Sequence, residues 1–146
     1  MLHDINWPHD YLPGYTDNFA SNEVIVRDLT AKDVFASSIL AADTRFRFKT
    51  FGFPIEAQII EFEAPADGRP GRLAWHGWAE GDADQRLDVV HAWLIEDLPE
   101  NRVRILTQES QIGKPARELH EANPDPMNIG HQDWLKGLVT TVQARK

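Results

Sequence analysis

The residues of this chain best suited to chemistry stand in two neighbouring runs, "RLDVVHAWLIE" (residues 86–96) and "RVRILTQESQI" (residues 102–112), which set His91 and Glu109 among apolar and branched side chains. A carboxyl group in an apolar setting is driven towards its neutral form, and a charged imidazole beside it draws it back, so such a pair can exchange a proton near neutral pH. No Gly-x-Ser-x-Gly nucleophile accompanies the pair, and with no cysteine in the chain, thiol chemistry, disulfides and thiolate metal ligands are excluded. His131 could complete a His91, Glu109, His131 ligand set. No spaced ligand motif of the zinc type supports it, so neither a metal nor a cofactor is expected.

The elements that must position these groups are strands. "IEAQIIEFEAP", "RLAWHGWAE" and the two runs above are of strand length, rich in branched and aromatic residues, and divided by the turn clusters "ADGRPG", "GDADQ" and "DLPEN". Treating "GDADQ" and "DLPEN" as five-residue hairpin loops sets Glu80 opposite Arg86 and Glu96 opposite Arg102, two favourable charge pairs. Alternation then gives one face four rows: Leu73, Trp93 and Ile105; Trp75, His91 and Thr107; Gly77, Val89 and Glu109; Ala79, Leu87 and Gln111. The other face collects Arg102, Arg104, Gln108, Asp88, His76 and Trp78, so the first face is expected to be the interior. The stretch "WHGW" is thereby split between faces, Trp75 and Gly77 inward, His76 and Trp78 outward.

On this register His91 and Glu109 are diagonal neighbours, roughly 7–8 Å apart at the backbone. Buried polar groups need partners, at a cost of about 1–3 kcal/mol each when unpaired. Either His91, Thr107, Glu109 and Gln111 satisfy one another, or they line a cavity and meet a ligand between walls formed by Trp75, Trp93, Val89 and Ile105.

Upstream, "DNFASNEVIVRDL" reads as a strand, and Thr30 with Asp33 forms a capping-box pair opening a short helix. The next stretch, "AADTRFRFKTFGFP", reads as a short second helix or turn running into an extended piece, its Arg45, Arg47 and Lys49 forming a basic edge that could attract an anionic head. "PARELHEANPDP" suggests a turn of helix broken at Asn123 and Pro124. Asp125 and Pro126 suit an N-cap and first helical position, and Leu135, Leu138 and Val142 recur at helical spacing. A helix from about Pro126 to Gln143 would run roughly 27 Å. His131 shares its inward stripe or ends in solvent near the first turns, and Trp134 joins His131 as a candidate contact.

Strand, two short helices, a meander of strands and a long C-terminal helix amount to an α+β fold, an antiparallel sheet with its helices on one face. The stretches "ASNEVIVRDLTAKDVFASSI", "GRLAWHGW", "VVHAWLIEDLPENRVRILTQESQIG" and "GHQDWLKGL" resemble the helix-grip superfamily of START domains, pollen-allergen-type proteins and polyketide cyclases, termed SRPBCC. That resemblance implies a curved sheet wrapped around the C-terminal helix, over a single domain at 17–146 behind an N-terminal extension at 1–16. It also implies an internal cavity for a lipid, polyketide or aromatic molecule. The superfamily's range leaves open a cyclase, dehydratase or hydrolase using His91 and Glu109, and a co-chaperone-like interaction module.

Composition narrows the partners. A chain of 146 residues fits one domain, and a formal charge of −8 repels phosphate backbones, so nucleic acid is not expected. The opening "MLHDINWPHDYLPGY" has acids, prolines and no apolar run. Neither a secretory signal nor a membrane span is expected, and a cytoplasmic location is. A small apolar molecule is the expected partner, and a homodimer is left open.

Overall fold

The structure, a computed structural model, describes residues 16–36, 45–50, 53–122 and 125–145, with the side chains of 50 and 53 set aside. Six strands form one antiparallel sheet in the order β1-β6-β5-β4-β3-β2. They are β1 (Asn18–Arg27), β2 (Arg45–Thr50), β3 (Phe53–Glu63), β4 (Gly71–Ala79), β5 (Leu87–Leu98) and β6 (Arg102–Ile112). Three helices, α1 (Ala31–Phe35), α2 (Lys114–Glu121) and α3 (Pro126–Ala144), accompany them, giving the expected α+β sheet-and-helix architecture. The N-terminal extension, the second short helix within 37–44 and the break at Asn123 and Pro124 lie outside the described residues. The segment from Arg45 onward is strand rather than helix, because Phe46 and Phe48 alternate with Arg45, Arg47 and Lys49 and only a strand sends these two sets to opposite faces.

Helix starts follow their local chemistry. The Thr30 hydroxyl accepts from the Asp33 amide while the Asp33 carboxylate accepts from the Thr30 amide, a complete capping box, and Asp97 accepts from the Ala31 amide. Asp125 accepts from the amides of Met127 and Asn128 at the head of α3. The inner sheet face packs on these helices: Ile59, Trp75, Trp93, Val103 and Ile105 form one core with Val34 of α1 and Leu135 and Val142 of α3.

The β4–β5 register is the expected one, with Trp75 opposite His91 and Gly77 opposite Val89. The β5–β6 hairpin is two residues tighter than expected. Only residues 99–101 make the turn, with Glu100 and Asn101 in the left-handed region (φ 67° and 58°). Asn takes that conformation more readily than most residues, which lets the strands run to Leu98 and restart at Arg102. Glu96 therefore pairs with Arg104 instead of Arg102, at 3.0 Å, and His91 lies directly across from Glu109 instead of diagonally. A shift of two residues preserves every face, so the interior set survives the correction.

The outer face departs from the expected polar set in another way. Ala74, Val90, Ala92, Leu94 and Leu106 form a second buried cluster there, with Phe19 and Ile60 against it. Ile60 is the residue left over where the β3–β4 register shifts between Ile59 and Glu61. That bulge falls outside the three strands whose register positions the site.

Candidate functional site

The site grows from the middle of the sheet, where β5 and β6 are flanked on both sides and their central side chains meet no water. His91 is 2% exposed, and Thr107 and Gln111 are likewise buried. His91 Nδ1 stands 3.2 Å from Glu109 Oε1, and its Nε2 faces the Thr107 hydroxyl at 2.5 Å. From α3, His131 brings Nε2 to 3.0 Å of the same Glu109 oxygen, and the two imidazoles stack at 4.9 Å with planes 21° apart. Gln111 Nε2 donates to Glu109 Oε2, and Asn18 Nδ2 donates to Gln111 Oε1 at 3.3 Å.

The direction of these hydrogen bonds is set from a distance. The Asp125 carboxylate, an acceptor only, takes the Asn128 amide hydrogen at 2.8 Å, which turns Asn128 Oδ1 towards Asn22. Asn22 Nδ2 donates to that oxygen at 3.1 Å and also faces His131 Nδ1 at 3.2 Å. His131 Nδ1 must then accept, so its proton sits on Nε2 and is donated to Glu109. His91 Nδ1 stands within ion-pair distance of Glu109 Oε1, and its Nε2 shares a hydrogen bond with the Thr107 hydroxyl.

Glu109 is thus a carboxylate holding two donors, His131 Nε2 and Gln111 Nε2, with His91 Nδ1 beside it. Burial pushes its carboxyl upward, but the nearness of His91, the bond from His131 and its nearness, and the bond from Gln111 together bring it below the ordinary value. Burial dominates at His91, only partly opposed by the nearby Glu109 and reinforced by the nearness of His131, and lowers its pKa to about 3.

A cavity of about 220 Å³ opens beside this cluster, between the inner sheet face and α3. Trp75, Val89, His91, Glu109, His131 and Trp134, all expected from the sequence, line it. Trp93, Ile105, Thr107 and Gln111 do not. They are buried behind the lining, where Thr107 and Gln111 hold His91 and Glu109, and Trp93 stacks on His91 at 5.2 Å. Sequence reasoning missed Phe48, Ile55, Met127 and Gly130 on the cavity wall, and Asn18, Asn22, Asn128 and Asp125 in the polar network. The inward alternation of Phe48 in "RFRFK" was the available signal for the first, and the i, i+3 spacing of Asp125 and Asn128 for the last. Trp134 touches Trp75, Trp93 and His91 with ring centroids 5.3–5.6 Å away, yet is 47% exposed, so it closes the cavity with one face and meets solvent with the other.

A larger open groove of about 840 Å³ runs along β2, β3 and β4 and shares Phe48 and Ile55 with the cavity. Its polar wall is self-paired and exposed, with Arg47 bonded to Glu56 at 2.8 Å, so the buried, convergent cluster is the stronger site. Arg47 and Lys49 line this groove instead of the mouth of the cavity.

His91, Glu109 and His131 also bring one ligand atom each within 4.8 Å of one another, a spacing a divalent metal could use. The surrounding hydrogen bonds oppose that use. A histidine that binds metal through Nε2 must donate from Nδ1, whereas His131 Nδ1 faces the Asn22 amide donor. Reversing Asn22 would force Asn128 to reverse too and set its oxygen against the Asp125 carboxylate.

No family model and no curated protein matches the chain. Among solved structures, a hypothetical protein from Helicobacter pylori is 44% identical with a TM-score of 0.84, over 94% of this chain and 95% of that one. A protein from Mesorhizobium loti is 12% identical with a TM-score of 0.65, over 88% of this chain and 98% of that one, a likeness of fold alone.

Proposed function

We propose that this chain, which belongs to one family with the Helicobacter pylori protein, binds a single small, mostly apolar molecule between its sheet and α3. The observation that carries the reading is the cavity of about 220 Å³, walled by Trp75, Trp134, Phe48 and Val89 and holding one buried carboxylate. An apolar cavity of about 150 Å³ accepts a benzene ring, so this one suits one ring or a short branched chain instead of a whole lipid or polyketide. The order strand, helix, meander and C-terminal helix is read as that of the helix-grip (SRPBCC) superfamily, whose members hold ligands in the corresponding place. Native mass spectrometry of gently purified protein tests this. A retained small molecule is expected, or a tryptophan fluorescence response to ring-sized compounds that Val89→Phe, filling the cavity, abolishes. A protein that retains nothing, ignores every ring-sized compound and instead captures a stable protein partner belongs to the interaction-module reading.

A second reading has its own observation: Glu109 Oε1 lies between two imidazole nitrogens, an arrangement able to give and take protons. It assigns Glu109 as base and His131 as the proton donor to it. Unchanged turnover of an identified substrate by Glu109→Gln ends this reading.

A further inference from the structure

Resting on the reading that the cavity binds a small molecule, we propose that its ligand is an organic cation, one ring or branched alkyl group bearing a primary or secondary ammonium that donates to Glu109. The argument is an inventory of hydrogen-bonding capacity. The ionisable residues on the cavity wall are His91, Glu109 and His131, beside the indole N–H groups of Trp75 and Trp134. His131 Nε2 is bonded to Glu109 Oε1 with its Nδ1 facing the Asn22 amide, while His91 Nε2 is bonded to Thr107 and its Nδ1 stands 3.2 Å from Glu109 Oε1. Gln111 Nε2, behind the wall, is spent on Glu109 Oε2. A carboxylate has about four acceptor positions, so after the bonds from His131 and Gln111 Glu109 keeps about two. A ligand that brings a donor fills that capacity.

Charge selects among donors. Among the described residues no lysine or arginine lines the cavity, burial keeps His91 neutral, and His131 accepts at Nδ1 from Asn22 as a neutral ring, so the carboxylate of Glu109 is the charge on the wall. A buried charge without a partner is costly, and a cationic ligand supplies the partner. The faces of Trp75, Trp134 and Phe48 add the quadrupole attraction that aromatic rings offer a cation. A neutral alcohol can donate but leaves the charge unmatched. A carboxylate-headed ligand meets a like charge.

Four ring-matched probes decide the matter on the full chain: benzylamine, benzyl alcohol, toluene and benzoate, titrated near neutral pH by calorimetry or tryptophan fluorescence. Benzylamine is expected to bind about tenfold or more tighter than benzyl alcohol, and benzoate about tenfold or more weaker. Glu109→Gln is expected to erase the advantage of the amine while toluene binding stays within about threefold of wild type, which also reports that the variant is folded. Toluene and benzyl alcohol binding with no preference for benzylamine in the wild-type protein overturns the cation proposal and leaves the cavity reading standing. A preference for benzoate overturns it too. Silence from all four probes overturns the cavity reading itself, and the proposal with it.

Discussion

His91 sits where an imidazolium has no water to solvate it, and the consequence is measurable. Its pKa is 6.5 in an unfolded chain and about 3 in the fold, so below about 6.5 the unfolded state takes up a proton that the native state refuses. Stability therefore falls as pH drops through that window, by up to about 1.4 kcal/mol per pH unit from this group. Glu109 acts with the same sign lower down, since its depressed pKa adds stability above the unfolded value of 4.5 and loses it as pH falls through the folded one. Thermal melts from about pH 7 to pH 4 should show Tm declining well before carboxylates titrate, and His91→Gln should flatten that decline. His91 and Glu109 were legible in the sequence because alternation sends both inward, whatever two-residue slip the hairpin makes. The Asn22, Asn128 and Asp125 chain was not, since Asn22 meets its partners across more than a hundred residues of sequence.

At the scale of elements, α3 announced itself, with Asp125 and Pro126 opening it and Leu135 and Val142 on its buried side. Its N-cap is worth testing on its own terms: Asp125→Ala should cost about 1 kcal/mol, read by denaturant melts, as loss of a helix cap does. Because the same carboxylate orients Asn128, nitrogen NMR of the His131 ring should also change from a single Nε2–H form to a mixture, an effect that loss of capping alone would not produce. The β5–β6 turn shows the limit of turn rules applied to composition. "DLPEN" contains the turn, but its length was decided by Glu100 and Asn101 entering the left-handed region and by Arg104 lying between Glu96 and Glu23, a pairing across three strands.

Across the whole molecule, the sheet is layered by protection: β5 and β6 lie inside it, while β1 and β2 form its edges. Hydrogen exchange should follow, with amides around His91 and Thr107 among the slowest and those of β2 opening first. The overall architecture was legible because strand alternation and one strongly capped helix suffice to define it. The buried outer patch around Ala92 and Leu106 was not, since Arg102, Arg104 and Asp88 on the same face mask it in a simple count of polar residues. Among the described residues, no helix is long and apolar enough to cross a membrane. The helix cap has one last consequence. A single carboxylate both starts α3 and decides which nitrogen of His131 carries hydrogen, so fraying of one helical turn and loss of proton order in the cavity are the same event. The protonation pattern of His131 is therefore a gauge of helix docking.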